Sequence, residues 1–251
     1  MKKTCGIGVL AAVLMAVGAE AETARTFALR EDQRPAKGEL ELGVSGRYAE
    51  IKAALFEPRI DQYTTDVQAR YGLTDDVSLN LAVPFVMRDA EYGKDESGIG
   101  DVRLGFELVT YRDIFDYPYI LPYAELRLPT GDEDKGLGAG DVTGDVGIAL
   151  GSTAHRYWHF ILDVRYMIVP NADNTWAVGL GLVHELSKKF AVSVEGQLRD
   201  KAAEERQRPK AVIGGMTYKP TKNWALSVFA GAETDSRVET VSGLKLNYTF
   251  R

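Results

Sequence analysis

A two-residue alternation of apolar and polar side chains runs from Leu40 almost to the end of the chain, and little but β-structure accommodates it. Leu40, Leu42 and Val44 alternate with Glu39, Glu41, Gly43 and Ser45. Val77, Leu79, Leu81, Val83, Phe85 and Met87 alternate with smaller or polar residues. Val102, Leu104, Phe106 and Leu108 alternate with Asp101, Arg103, Gly105 and Glu107. The pattern returns at Trp158 to Ile168, Trp176 to Leu182, Phe190 to Val194, and Val238 and Leu244 to Phe250. Weaker segments near 59–71, 119–128, 139–151, 209–218 and 224–233 bring the count to about twelve strands of roughly ten residues, the length a tilted strand needs to cross a bilayer. No amphipathic helix is predicted after residue 21.

Only alternate residues of a membrane strand face lipid, so a chain with 26% charged residues can still span a bilayer. The predicted fold is all-β: an up-and-down antiparallel transmembrane β-barrel over residues 38–251. A soluble sandwich or lipocalin-like barrel would turn the apolar face inward, leaving Glu39, Arg103, Asp145, Asp163 and Arg165 outside. Periodicity alone does not choose between the two. The ends of the chain and its aromatic residues favour the membrane.

Lys2 and Lys3 precede a short apolar run, Gly6 to Val17, followed by Ala19-Glu20-Ala21. This order predicts a secretory signal peptide over residues 1–21, cleaved after Ala21. Its apolar core is shorter than the roughly 20 residues of a spanning helix. Cys5 is the only cysteine, so the exported chain would have no disulfide, thiolate metal site or cysteine nucleophile. Loss of Lys2, Lys3 and Glu20 takes the net charge from -6 to -7, and so acidic a product has no broad basic face for nucleic acid. Residues 22–37 are polar, contain Pro35 and have no steady period. They are expected to be a periplasmic lead-in, or a segment tucked into the lumen.

The connections differ in kind. Tight polar turns fall at Gly72–Asp76, Ser187–Lys189 and Lys219–Asn223, with longer charged loops at Arg88–Ser97, Pro129–Gly138 and Asp200–Arg208. Short periplasmic turns and longer external loops are the usual asymmetry of outer-membrane barrels, and an even strand count then places both termini in the periplasm. Aromatic rings flank the turns at Tyr71, Phe190, Tyr218 and Trp224, with His184 in an equivalent place. Such rings favour the membrane interface and would form a girdle, with Tyr63, Phe85, Tyr166 and Trp176 as its external counterpart.

Two glycine-rich repeats, Gly98-Ile99-Gly100-Asp101-Val102 and Gly138-Ala139-Gly140-Asp141-Val142, open strands and not helices, which argues against a phosphate cradle. Glycines there permit bending at a barrel rim. Asp132-Glu133-Asp134-Lys135-Gly136 resembles the start of a calcium loop, but Thr143 stands where the bidentate glutamate belongs. His155, His159 and His184 share no metal-ligand spacing, and no serine pairs convincingly with a histidine on the outer face. No catalytic residue, metal or cofactor is predicted. Arg47, Arg70, Asp101, Arg103, Glu107, Arg127, Asp145, Asp163, Arg165 and Glu195 take the inward register as candidate lumen-lining residues, accompanied by Asp66, Glu125, Asp141, Arg199 and Lys245. They form either a mutually neutralising lattice that fills the barrel or a polar conduit whose charges tune what passes.

Tyr71-Gly72-Leu73-Thr74-Asp75-Asp76, Val83-Pro84-Phe85, Gly98 to Val102, Leu128-Pro129-Thr130-Gly131, Gly138 to Leu150 and Tyr248-Thr249-Phe250 together resemble the outer-membrane proteins associated with the phenol-degradation meta-pathway. The likeness covers most of the chain after the signal peptide. It implies a monomeric barrel that admits hydrophobic or aromatic small molecules, and it carries no catalytic or binding residues over. Arg251 departs from the pattern, because such chains commonly end on the aromatic residue that the barrel-assembly machinery reads. The expected function is a passive outer-membrane channel, with lipids, the assembly machinery and a small solute as partners. The alternatives are a closed structural or adhesion-type barrel and an outer-membrane lipid hydrolase.

Overall fold

Each alternating segment forms a strand, because β-geometry sends successive side chains to opposite faces. The computed structural model describes residues 26–51, 59–91, 94–112, 118–155, 157–170, 174–200, 209–234 and 238–250. The expected signal peptide, Arg251 and residues 201–208 of the loop expected at Asp200–Arg208 lie outside the described residues. The strands are β1 (Leu40–Ile51), β2 (Ile60–Gly72), β3 (Val77–Ala90), β4 (Glu96–Ile99), β5 (Val102–Leu108), β6 (Tyr111–Arg112) and β7 (Tyr119–Leu128). They continue with β8 (Thr143–Ala154), β9 (Trp158–Ile168), β10 (Thr175–Ser187), β11 (Phe190–Arg199), β12 (Lys210–Tyr218), β13 (Trp224–Thr234) and β14 (Val238–Phe250).

Neighbours in sequence pair antiparallel, and β1 returns to β14 from Leu40↔Phe250 to Ile51↔Val238, closing the sheet. β4, β5 and β6 are three stretches of one stave. β3 pairs β4 at Phe85↔Ile99 and β5 at Ala82↔Arg103, while β7 pairs β5 at Arg103↔Arg127 and β6 at Tyr111↔Ile120. The result is a closed, up-and-down barrel of twelve staves. Closure leaves no unpaired strand edge, which a lipid environment does not tolerate.

The two faces separate by parity. Leu42, Val44, Leu79, Leu81, Phe160, Val164, Leu226 and Leu244 are exposed on the outside. Ser78, Asp163, Glu195, Thr217, Ser227 and Asn247 are buried on the inside. A continuous apolar belt around a cylinder is unfavourable in water and matches hydrocarbon. At the turn end, Phe190 stacks on Tyr218 with centroids 4.5 Å apart, Trp158 on His184 at 3.9 Å, and Trp224 meets Tyr248 at 4.7 Å. Tyr248 also meets Phe250 edge-on at 4.5 Å. At the loop end, Tyr166 and Trp176 are register partners, and Tyr63 lies 5.2 Å from Tyr48.

β3 runs on to Ala90 and β4 begins at Glu96, both inside the loop expected at Arg88–Ser97, and β8 also departs from expectation. β8 begins at Thr143 instead of residue 139, because the Asp101 carboxylate binds the Ala139 amide at 2.8 Å and Gly140 takes a φ of 75°. Both remove residues 139–142 from the ladder, so Asp141 is an exposed loop residue and not an inward one. The weak alternation over β7 also has a cause. Tyr119, Leu121 and Tyr123 face inward and are buried with Val109 and Ala149 as an apolar cluster inside the barrel. Their rings lie over Gly151 and Gly147 of β8, where a Cβ would collide with them.

That packing predicts that Gly151→Val or Gly147→Val overpacks the interior and costs about 1–3 kcal/mol. Gly46→Ala, at a position with open space around the missing Cβ, should change stability by less than about 0.5 kcal/mol. Urea unfolding of protein refolded into liposomes, followed by tryptophan fluorescence, measures the difference.

Candidate solute pathway

Residues 26–37 settle the alternative left open for this segment: they lie inside the barrel. Phe27 stacks on Phe229 of β13 with centroids 4.6 Å apart. The Glu195 carboxylate of β11 then accepts three successive backbone N–H groups, from Phe27 at 2.7 Å, Ala28 at 2.8 Å and Leu29 at 3.1 Å. The Leu29 side chain lies against Gly179 and Gly181 of β10 and is buried with Ile161, Val183 and Ala191. Side chains at those two glycines would occupy its place.

The chain continues across the lumen. The Arg30 amide donates to Asp163 of β9 at 3.0 Å, and the Tyr123 hydroxyl donates to the same carboxylate at 2.6 Å. The Arg30 guanidinium reaches Glu107 at 3.1 Å and Glu125 at 2.6 Å, and lies 5.2 Å from the centre of the Tyr123 ring. Glu107 also binds Arg70 at 3.3 Å and the Ser78 hydroxyl at 3.2 Å. Arg70 in turn donates to the Gln33 carbonyl at 2.9 Å, and Asp32 is held by Arg112 at 2.7 Å. A bridge between Lys37 and Gly72 then delivers the chain to β1. The segment is an internal plug, held by charge-assisted bonds to carboxylates on four staves of the wall.

The ten sequence candidates therefore divide. Arg70, Glu107, Asp163 and Glu195 bind the plug or its supports. Arg47, Arg103, Arg127, Asp145 and Arg165 line an arc on the loop side of it. Arg103 meets Asp66 at 2.6 Å, and Arg127 meets Asp145 at 2.6 Å. Asp101 belongs to neither group. It stands between β4 and β5 and binds the amides of Gly131 at 3.0 Å and Ala139 at 2.8 Å, fastening loop 129–142 to the rim. That loop folds inward, burying Leu137 over Gly98 and Gly100, and Arg88 holds its Gly136 carbonyl at 2.9 Å.

The acidic loop residues gather no metal site: no group of three potential ligands occurs among the described residues. Lys135 lies 2.9 Å from Asp132 and holds that carboxyl below the usual carboxylate range. Sequence reasoning missed Arg30 and the inward tyrosines. The one available signal was the surplus of carboxylates on the inner wall, Glu107, Glu125, Asp163 and Glu195, which require donors.

The geometry defines an outer-membrane-type β-barrel whose charged lumen is crossed by its own N-terminal segment. The chain belongs to the family described as "Putative MetA-pathway of phenol degradation", which matches residues 56–250. An outer membrane channel from Pseudomonas putida F1 shares its fold, with a TM-score of 0.69 and 14% identity, over 86% of this chain and 96% of that one. The KdgM porin (TM-score 0.59, 9% identity) aligns over 84% of this chain and 99% of its own. The translocator domain of the autotransporter NalP from Neisseria meningitidis (TM-score 0.58, 10% identity) aligns over 88% and 90%. No curated protein matches the sequence.

Each bond from a backbone amide to a buried carboxylate contributes about 1.5–3 kcal/mol. Glu195→Ala removes three, so trypsin should cleave refolded protein after Arg30 at least about tenfold faster than in the parent chain. Mass spectrometry of the released peptides measures this. Unchanged protection would mean that other contacts hold the segment.

Proposed function

We propose that the chain is a passive channel for small solutes across the outer membrane, with residues 26–37 as a plug in its conduit. The observation that carries this reading is the independence of plug and wall. The barrel closes through β1 and β14 alone, and the plug crosses it as a non-strand segment bound mainly by polar contacts. A solid structural barrel would need no separate occupant. Withdrawal of the segment leaves a lumen lined by charged and small residues, suited to solute passage.

The P. putida channel of the same fold supports this assignment, and the family's description, with its mention of phenol, favours small aromatic or hydrophobic solutes. The tight turns face the periplasm and the longer loops the exterior, so both termini are periplasmic. Leu244, Leu246, Tyr248 and Phe250 of β14 present the aromatic-ended apolar face by which the barrel-assembly machinery engages such chains. The residues of the lumen carry no catalytic role.

Planar-bilayer recordings test the proposal. A variant lacking residues 22–37 should conduct steadily, with a mean current at least severalfold above that of the parent chain, and should admit small sugars in liposome swelling. No current and no swelling from either protein, each folded by heat-modifiable gel mobility, would overturn the channel reading.

A further inference from the structure

The plug consumes the carboxylates of the lumen and leaves guanidinium groups over. Arg30, a cation the plug brings in, takes Glu107 and Glu125, and plug backbone amides take Glu195 and Asp163. On the loop side, four arginines, Arg47, Arg103, Arg127 and Arg165, face Asp66 and Asp145, with Glu125 3.5 Å from Arg127 and Glu233 within electrostatic range of Arg47. Each aspartate forms its close ion pair with a different arginine, Arg103 or Arg127. Arg47 and Arg165 have no hydrogen bond or close ion pair among the described residues, and Arg165 Nε is buried without an acceptor. Arg103 Nε is likewise buried and unsatisfied.

These groups form one arc. Arg103 and Arg127 are register partners on β5 and β7, Asp145 feels both Arg127 and Arg165, and Arg47 lies within electrostatic range of Asp66, Arg103, Glu233 and Arg127. The wall beside the arc mixes small residues with larger ones. Gly243 is the register partner of Arg47, and Ala177 that of Arg165. Beyond them, the Phe229 ring lies over Gly243, Ile213 packs against Gly231, and Ala211 pairs with Glu233.

The buried Nε donors of Arg103 and Arg165 are costly without acceptors, Arg47 is exposed beside them, and a planar oxyanion satisfies guanidinium donors in pairs. We infer that the arc of Arg47, Arg103, Arg127 and Arg165 is a binding site for small organic carboxylates. This deepens the channel reading and rests on it for the route by which a solute enters. It makes the conduit selective for anions although the chain as a whole is acidic, because the lumen potential follows local charge.

The test is calorimetric titration of benzoate, with benzamide as the uncharged isostere, into the refolded full-length chain in micelles at low salt. Benzoate should bind and benzamide should not. Arg47→Gln/Arg165→Gln should weaken benzoate at least about tenfold, and Arg165→Lys should retain part of the affinity. Gel mobility after heating establishes that each variant folds. Equal affinity for the two ligands, no benzoate binding, or unchanged binding in the Gln variant would overturn the site while leaving the channel reading in place. Reversal potentials of the plug-deleted barrel under a potassium chloride gradient supply the second arm. Anion preference lost in the Gln variant supports the site, and cation preference in the parent barrel overturns it. Benzoate binding without any current would keep the site and overturn the channel.

Discussion

Every backbone N–H and C=O inside a bilayer must find its partner within the protein, because hydrocarbon offers none. For a chain of alternating residues this means a closed sheet, and the pairing of β1 with β14 is the contact that completes it. Closure assigns each side chain to lipid or to lumen by parity, with no intermediate choice. Leu42 and Leu244 go outside, whereas Glu41 and Asn247, one step away, go inside and hydrogen bond through the Asn247 amide at 3.1 Å. The aromatic pairs at the turn end follow from the same ladder, since Phe190 and Tyr218 are register partners as well as stacked rings.

Closure also creates the difficulty that the N-terminal segment answers. Inward carboxylates in a narrow cylinder are poorly hydrated and repel one another, and the wall does not supply enough nearby donors on the turn side. The plug brings those donors: three consecutive amides to Glu195, one to Asp163 and the Arg30 guanidinium to Glu107 and Glu125. Apolar contacts support it, with Leu29 in the cluster of Ile161, Val183 and Ala191 and Phe27 on Phe229. The turn-side lumen is therefore both apolar and acidic, and it is occupied. Across the plug, Arg47 and Arg165 stand without a close ion pair among the described residues.

Strand parity, the aromatic rings at the turns and the alternation of short turns with long loops were legible in the sequence, because each depends on neighbours within a few residues. So was the inward register of Arg47, Arg70, Arg103, Glu107, Arg127, Asp145, Asp163, Arg165 and Glu195. β7 was only weakly legible, because Tyr119, Leu121 and Tyr123 put apolar groups on the lumen side and erase the contrast between faces. Asp101 and Asp141 share their motif with strand residues, yet loop 129–142 claims the first as an anchor and leaves the second exposed. No local pattern distinguishes these outcomes.

By itself, then, the order of residues determined an all-β membrane cylinder and the side of the wall on which each charge falls. Tertiary structure alone decided which charges meet, because partners such as Leu29 and Glu195, or Arg30 and Glu107, lie 166 and 77 residues apart in sequence. It also decided the place of residues 26–37. Nothing in their composition separates a free lead-in from a plug. The difference lies in carboxylates from distant strands, which become a single binding surface only when the sheet closes around them.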